Sequence, residues 1–424
     1  MATQREWVER DAAVVWHGFT QMAAYGDNAP IIVERAEGHE LIDVEGRRYL
    51  DAISSLWVTT LGHRVPELDA AIRDQLDRVA HATLLGNGNT AVIELAEALA
   101  AVVPVDGPHF LFASDGAAAV EQALKICFQF WANCGVSGRT GYVALSEAYH
   151  GDTVGSLSVG AGGFGTDLFD PLRFPVRRAK SLGEAAELVR AHRDELAACV
   201  VEPLVQGAAG MILHDPVDLA SLARVCRESD VLLLVDEVAT GFGRTGTLFA
   251  CEQAGVRPDV MCIGKGLTGG YLPMSATVAN QRVYDAFLGP DLGERTFYHG
   301  HSYSGNALAA AVARRHLELI VEGDVLANVR ARSAELRQLL DAEVAPHGAV
   351  REVRLHGLMG GVELAPPEPG LRWGRRVCAA AVERGVLLRP LGDVVVVMPP
   401  LTIGITDVQR IVSVLREAID EVAA

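Results

Sequence analysis

The chain has 424 residues, half of them hydrophobic, and a formal net charge of −17 at pH 7. This length exceeds one simple core, so we expect one large and one small domain. The negative charge argues against nucleic acid and anionic membranes as partners, although a local positive site can still bind a small anion.

Cysteine usage and the N-terminus indicate the compartment. The seven cysteines are scattered without paired spacing, which predicts buried free thiols in a reducing environment. The first residues lack the apolar region of a signal peptide, and no run of 18 apolar residues occurs. We therefore expect a cytoplasmic protein.

The first 75 residues are predicted to hold an aromatic segment followed by short strands. Trp16 and Phe19 lie close to the terminus, which suggests a segment pinned onto another surface, with ordinary core packing as the alternative. Short strands around turns are predicted between residues 31 and 52. Proline at position 66 then opens a predicted helix that runs to about Ala82.

The middle of the chain alternates strands with helices. Predicted strands cover 109–113, 142–145, 198–203, 231–236, 259–264 and 273–279, and predicted helices cover about 90–103 and a stretch from Asp115. Near-continuous apolar strands between helices indicate a mostly parallel sheet covered on both faces. This pattern predicts an α/β domain over residues 76–310.

The last third of the chain mixes long helices with short strands. Predicted helices cover about 306–321, 325–345, 371–384 and a stretch from 406, and predicted strands cover 350–355, 358–364, 386–389 and 394–398. This mixture is typical of an α+β domain. We expect residues 1–75 and 311–424 to form this smaller domain together.

Two consecutive predicted strands end near an acid and a lysine. Asp236 ends one apolar run, and Lys265 follows the next, within a glycine-rich phrase. An acid that keeps a pyridine nitrogen protonated and a lysine that forms a Schiff base are the minimum equipment of a pyridoxal-phosphate enzyme. This pair is therefore the first candidate catalytic site.

Residues 114–117 form a turn between a predicted strand and a predicted helix. Backbone N–H groups at a helix start bind phosphate, and Gly116 lets the anion approach. Many α/β proteins have such a turn for structural reasons alone. Tyr149 follows another strand, where it could stack on a planar cofactor or serve as an ordinary strand-end aromatic.

Residues 160–165 match the dinucleotide pattern G-x-G-x-x-G. That pattern has meaning only between a strand and the helix it opens, and the residues that follow include a proline and two acids without helical periodicity. We reject a nicotinamide site here and interpret the stretch as a mobile glycine loop.

Three further polar positions are candidates for ligand binding. His299 and His301 have the spacing of a metal-binding pair, but no further ligands follow, so donors to a phosphate are favoured over a metal. Arg389 interrupts an apolar segment, and a half-buried arginine usually pairs with a carboxylate of the protein or the substrate. Glu202 ends a strand, where α/β sheets collect ligand-binding groups.

Taken together, these phrases resemble the class III aminotransferases of pyridoxal-phosphate fold type I, and within them the branch that serves biotin synthesis. The phrases are WHGFT at 16–20, SSLW at 54–57, GA at 116–117, YHGDT at 149–153, VQGAAGM at 205–211, DEVATGFGRTG at 236–246, FACE at 249–252, GKGLTGG at 264–270, RPLG at 389–392 and MPP at 398–400. They span nearly the whole chain.

The resemblance implies the roles of the cofactor-binding residues. Lys265 holds pyridoxal phosphate as a Schiff base and moves a proton between substrate and cofactor, while Asp236 pairs with the pyridinium nitrogen. Val238 and Tyr149 pack on the two faces of the ring, and Tyr149 counts with Lys265 and Asp236 among the catalytic residues. The remaining implied contacts to the phosphate come from Gly116, Ala117 and Ser302.

The resemblance also implies the assembly, the substrates and the reaction. Ser302 comes from a partner subunit, so a homodimer with active sites at the interface is expected. The substrate-binding residues are implied to be Phe19, Trp57, Gly300, His301 and Arg389, and Arg389 holds the substrate carboxylate. The implied reaction is ping-pong transamination of the keto acid 8-amino-7-oxononanoate to 7,8-diaminononanoate, with adenosylmethionine or lysine as amino donor.

Several positions depart from the common pattern of this family. Ala117 replaces a frequent serine in the phosphate turn, so backbone donors carry more of the binding. Leu56 replaces the first of two adjacent tryptophans, and Phe19, Leu56 and the stretch 301–303 resemble the lysine-using branch. Ala208 stands where glutamate-using members place a glutamate that neutralises the pocket arginine. The keto acid is thus better supported than the donor.

Two alternative functions remain open from the sequence. The first is a broad ω-amine:pyruvate transaminase of the same fold. The second is a non-catalytic regulator that binds pyridoxal phosphate, although such a protein would usually carry an additional basic DNA-binding segment, which this chain lacks.

Overall fold

The computed structural model describes residues 2–28, 30–161 and 166–424. Most of the glycine stretch predicted to be a mobile loop, residues 162–165, lies outside this range. The helices of the described residues are α1 (Gln4–Val14), α2 (Ser54–Trp57), α3 (Pro66–Leu76), α4 (Thr90–Ala100), α5 (Gly116–Asn133), α6 (Val154–Val159), α7 (Leu182–His192), α8 (Pro216–Glu228), α9 (Gln281–Asp285), α10 (Ala307–Glu322), α11 (Val325–Glu343), α12 (Trp373–Glu383) and α13 (Ile405–Ala423).

The strands fall into three larger sheets and one short hairpin. They are β1 (Val33–Glu37), β2 (Glu40–Asp43), β3 (Arg48–Asp51), β4 (His109–Ala113), β5 (Gly141–Leu145), β6 (Arg177–Ala179), β7 (Leu196–Val201), β8 (Val205–Gln206), β9 (Ile212–Leu213), β10 (Leu232–Asp236), β11 (Val260–Ile263), β12 (Ser275–Ala279), β13 (Val350–His356), β14 (Met359–Leu364), β15 (Val386–Leu387), β16 (Arg389–Leu391) and β17 (Val394–Val397).

The central sheet has seven strands in the order β4-β12-β11-β10-β7-β5-β6. Only β12 runs antiparallel to its neighbours, and the other neighbouring pairs are parallel. Strands β7 and β10 are buried along their whole length, as their continuous apolar sequences require when helices cover both faces. The predicted mostly parallel α/β fold is confirmed.

The N-terminal and C-terminal parts of the chain share one sheet. Strand β15 pairs in parallel with β3 and completes the order β1-β2-β3-β15. A third sheet has the order β13-β14-β17-β16 and packs with α11, α12 and α13 into a separate apolar cluster. The predicted strand at 386–389 is therefore two short strands in two different sheets. The predicted domain boundaries at residues 75 and 310 stay a prediction.

Three predictions of local structure need correction. Helix α3 ends at Leu76 and not near Ala82, because the side-chain amide of Gln75 donates to the carbonyl of Val79, 2.9 Å away, and stabilises a turn there. Core packing is the wrong interpretation for the N-terminal aromatics, since Trp16 is 89% exposed. All seven cysteines are free, but Cys134 is exposed and the other six are buried.

None of the helices in the described ranges has both the length and the apolar composition needed to span a bilayer.

Candidate active site

A cavity of about 690 Å³ lies at the ends of the parallel strands. Asp236 is the last residue of β10, Glu202 directly follows β7, and Lys265 lies two residues beyond β11. Because parallel strands end at the same edge of a sheet, the chain delivers these side chains to one place. The cavity is lined by eight residues predicted from the sequence, namely Trp57, Gly116, Ala117, Tyr149, Glu202, Asp236, Val238 and Lys265.

Lys265 begins a short 3-10 helix, Lys265–Thr268, and has a φ of 43°. A left-handed backbone at a residue other than glycine costs about 1–3 kcal/mol, and the surrounding structure must maintain it. Burial lowers the pKa of Lys265, and the negative charges of Asp236 and Glu202 partly oppose that shift. The lysine therefore reaches its neutral, nucleophilic form more easily than an exposed lysine.

Both carboxylate oxygens of Asp236 are held in place. Oδ1 accepts a hydrogen bond from the backbone N–H of Val238 at 3.0 Å, and Oδ2 lies 2.7 Å from Nδ1 of His150. His150 is buried, and its Nε2 has no hydrogen-bond partner in the described part of the chain. This histidine orients the acid, and the sequence interpretation did not include it in the site.

In the turn at residues 114–117, the backbone lies very close to the side chain of Val238. A Cβ atom on Gly116 would lie 2.7 Å from Cγ1 of Val238, so only glycine fits here. The carboxylate of Asp115 caps α5 by accepting from the N–H of Ala118 at 2.9 Å. The N–H groups of Gly116 and Ala117 have no acceptor within the helix, and together with the helix dipole they suit an anion.

Tyr149 lines the cavity and is fixed at both ends. Its backbone N–H donates to Oε2 of Glu202 at 3.0 Å, and its hydroxyl donates to Asp152 at 2.9 Å. Burial, followed by the hydrogen bond to Asp152, raises the pKa of the Tyr149 hydroxyl. The phenol therefore stays neutral at physiological pH and offers an apolar ring face to the cavity.

Trp57 reaches the cavity from a left-handed turn. The four residues of α2 have φ values of 51°, 46°, 74° and 71°, a conformation that costs about 1–2 kcal/mol per residue. Asp51 anchors the turn by accepting from the N–H of Ser55 at 3.0 Å and from its hydroxyl at 2.9 Å. The Trp57 ring lies 4.7 Å from Nζ of Lys265, and its Nε1 is buried without a partner among the described residues.

Glu202 is a buried carboxyl at the floor of the cavity. It accepts hydrogen bonds from the N–H groups of Tyr149 and Gly207. Burial raises its pKa from 4.5 to about 7, and the charge of His150 and the backbone bonds only partly offset this. Glu237 has a similar raised pKa of about 7, but its oxygens contact Thr240 and the N–H of Cys251.

These raised pKa values predict a pH-dependent stability. Between pH 4.5 and about 7 the unfolded state loses the proton that folded Glu202 retains, so the free energy of unfolding falls as pH rises through this window and levels off above it. The free energy of unfolding of Glu202→Gln, relative to that of wild type, should therefore be higher at pH 8 than at pH 5. Denaturant unfolding of the cofactor-free protein measures this difference.

Glu237→Gln is the matched control for this prediction. Its free energy of unfolding relative to wild type should rise by the same amount from pH 5 to pH 8, because the Glu237 carboxyl is equally buried. Only Glu202→Gln should alter the absorption of bound cofactor. A stability difference from wild type that is the same at both pH values in both variants contradicts the prediction.

Five predicted residues do not line the cavity of this chain. Phe19 is 67% exposed. Gly300, His301 and Ser302 belong to a segment outside the cavity, in which the Ser302 carbonyl oxygen lies 2.7 Å from Nε2 of His81. The burial expected for Arg389 is wrong, because strand β16 turns it to the exposed side and it forms no ion pair with a described residue. The roles of these five residues stay predictions.

The chain is similar to known proteins over nearly its whole length. The class-III aminotransferase family model matches residues 21–419. The adenosylmethionine-8-amino-7-oxononanoate aminotransferase of Nitratidesulfovibrio vulgaris is 47% identical, covering 96% of this chain and 80% of that protein. The crystal structure of the enzyme of that name from Methanocaldococcus jannaschii has a TM-score of 0.95 at 37% identity, and 99% of each chain is covered.

A second solved structure carries a different activity in its name. The (S)-enantioselective omega-transaminase from Thermomicrobium roseum has a TM-score of 0.92 at 32% identity, and 100% of each chain is covered. The likeness in fold thus extends beyond one substrate.

Proposed function

This chain belongs to the class III aminotransferases, and from that premise we propose that it aminates 8-amino-7-oxononanoate to 7,8-diaminononanoate in biotin synthesis. The observation that carries the proposal is the placing of Lys265, Asp236 and Trp57 in one cavity, in a chain whose full-length relatives are named for this reaction. The donor is adenosylmethionine or lysine.

Class III aminotransferases depend on pyridoxal phosphate, and the cavity fits this group. Gly116 gives the approach that a Cβ would block, the N-terminus of α5 suits the phosphate, and each oxygen of Asp236 retains a lone pair for the pyridinium nitrogen. When bound, the cofactor supplies an aldehyde that accepts an amino group and a ring that withdraws electrons from the reacting carbon.

The residues that line the cavity have different roles in the proposed reaction. Lys265 holds the cofactor and carries a proton at Nζ, which its lowered pKa permits near neutral pH. Asp236, oriented by His150, keeps a negative charge beside the ring nitrogen. Trp57 closes the substrate side of the cavity and excludes water, while Tyr149 and Val238 line the ring site.

We propose that a second subunit completes the site. Phe19 and Ser302 lie outside the cavity of their own chain, and Trp16 and Tyr303 beside them are 89% and 67% exposed. Exposed aromatic side chains at two segments favour contact with another copy. In this homodimer Ser302 binds the phosphate of the partner site, and Arg389 holds the substrate carboxylate.

A cytoplasmic location is part of the proposal. It rests on the seven free cysteines, since thiols persist in reducing compartments.

A donor assay tests the proposed activity. Purified protein with pyridoxal phosphate is offered the oxononanoate together with adenosylmethionine or with lysine, and diamine is measured by mass spectrometry. We expect diamine with one of the two donors. Rapid turnover of simple amines with pyruvate, and no diamine with either donor, would instead identify an ω-amine:pyruvate transaminase.

A further inference from the structure

His316 is a fully buried histidine directly behind the lysine of the cavity. It lies on α10, does not line the cavity, and has 0% of its surface exposed. Its neighbour across the packing interface is Gly269, the left-handed residue that ends the Lys265 helix. A Cβ on Gly269 would lie 2.9 Å from Cδ2 of His316, so the imidazole packs against the backbone of this helix.

The same imidazole is bonded to the segment that carries Trp57. Nε2 of His316 lies 2.5 Å from the hydroxyl of Thr60, which is itself buried. The Thr60 carbonyl accepts from the N–H of Leu401 at 2.6 Å, so this segment is fixed on its other side as well. His316 therefore contacts both the helix that begins at Lys265 and the segment that carries Trp57.

The buried imidazole of His316 is uncharged. Burial lowers the pKa of His316 to about 3, and the adjacent Leu267 backbone offsets only part of this. The ring is therefore neutral and has one donor and one acceptor nitrogen. Nε2 lies within hydrogen-bond distance of the Thr60 hydroxyl, and Nδ1 is buried without a hydrogen-bond partner among the described residues.

Both contacted segments store backbone strain. Lys265 has a φ of 43°, and the turn that ends at Trp57 is left-handed throughout. Such conformations persist only where the surroundings over-determine them. Two strained segments with a common support of this kind behave as one unit, because loss of the support releases both.

We propose that His316 and Thr60 are positioning residues that hold Lys265 in its strained, water-poor conformation against Trp57. The proposal rests on Lys265 as the cofactor-binding lysine of the proposed function and does not depend on which keto acid is the substrate. Without the support, the helix that begins at Lys265 relaxes, water reaches Nζ, and a larger fraction of the lysine is protonated near neutral pH.

Two disrupting variants, one conservative variant and one control test the proposal. Thr60→Val replaces the hydroxyl with a methyl group, Thr60→Ser keeps the hydroxyl, and His316→Phe replaces the imidazole with an aromatic ring that has no nitrogen. His356→Phe is the control, because His356 has one side-chain partner, Gln253, as His316 has Thr60, but this partner lies in neither residues 54–60 nor residues 264–270.

The first measurement is the rate at which cofactor-free protein gains the visible absorption band on mixing with pyridoxal phosphate at pH 7. A rise of about one unit in the pKa of Lys265 lowers the neutral fraction about 10-fold. We expect a rate loss of about that size in Thr60→Val and His316→Phe, a return toward the wild-type rate in Thr60→Ser, and no change in His356→Phe.

The second measurement is hydrogen exchange of the cofactor-free protein, which requires no activity. We expect faster exchange confined to residues 264–270 and 54–60 in Thr60→Val and His316→Phe. Wild-type rates of band formation in both variants, or faster exchange spread evenly over the whole chain, overturn the proposal and leave His316 a packing residue. Failure of the proposed function would instead appear as wild-type protein that forms the band but makes no diamine.

Discussion

Lys265→Ala should abolish turnover, with kcat reduced by at least about 10⁴-fold, the upper range for loss of a general acid–base group. Lys265 is the only lysine lining the cavity among the described residues, so no neighbouring amine can replace it. The measurement is diamine formation with the preferred donor, together with the visible band of bound cofactor, which should be lost. An intact band in this variant contradicts the role of Lys265.

Hybrid dimers extend this prediction to the second subunit. Lys265→Ala protein is mixed with Ser302→Asp protein, whose added charge repels a phosphate. If Ser302 acts across the interface, each hybrid contains one site with an intact lysine and an intact serine, and activity returns. If Ser302 acts within its own chain, both sites of the hybrid remain defective.

Asp236→Asn should lower kcat by about 10²–10³-fold, the usual cost of removing one electrostatic contact to a reacting centre. The amide has the same shape and can still accept from the Val238 N–H, but it has no negative charge to keep a ring nitrogen protonated. The single-turnover rate with a donor amine measures this loss directly.

His150 separates the charge of Asp236 from its orientation. His150→Ala removes the 2.7 Å contact to Oδ2, and we expect a loss of about 10-fold, typical of a supporting hydrogen bond. His150→Asn places an amide donor near the position of Nδ1 and should recover most of the rate. Equal losses in both variants would show that the contact to Asp236 is not what matters.

The strand ends of the site could be predicted from the sequence. Asp236 and Lys265 each follow an apolar run bounded by glycine or charged residues, and parallel strands necessarily bring such ends to one edge. Gly116 was found by the same logic, because a glycine between a strand and a helix is where a phosphate approaches. Eight predicted residues therefore meet in one cavity.

The supporting contacts could not be predicted, because they depend on how separate segments pack. His150 and His316 look like ordinary residues of a loop and a helix, and only tertiary packing brings them to Asp236 and Thr60. The left-handed turn that ends at Trp57 contains no glycine, so the sequence does not indicate its conformation. The burial of Arg389 was misjudged because an apolar run does not reveal which face of a short edge strand is covered.

Amination of the keto acid can be measured without knowing which amine is the donor. Cofactor-free protein is reconstituted with pyridoxamine phosphate, mixed with 8-amino-7-oxononanoate in a single turnover, and the product is quantified. We expect about one equivalent of 7,8-diaminononanoate per subunit, formed without any added amine, and none with Lys265→Ala. Consumption of pyruvate under the same conditions, with no diamine from the oxononanoate, would contradict this expectation.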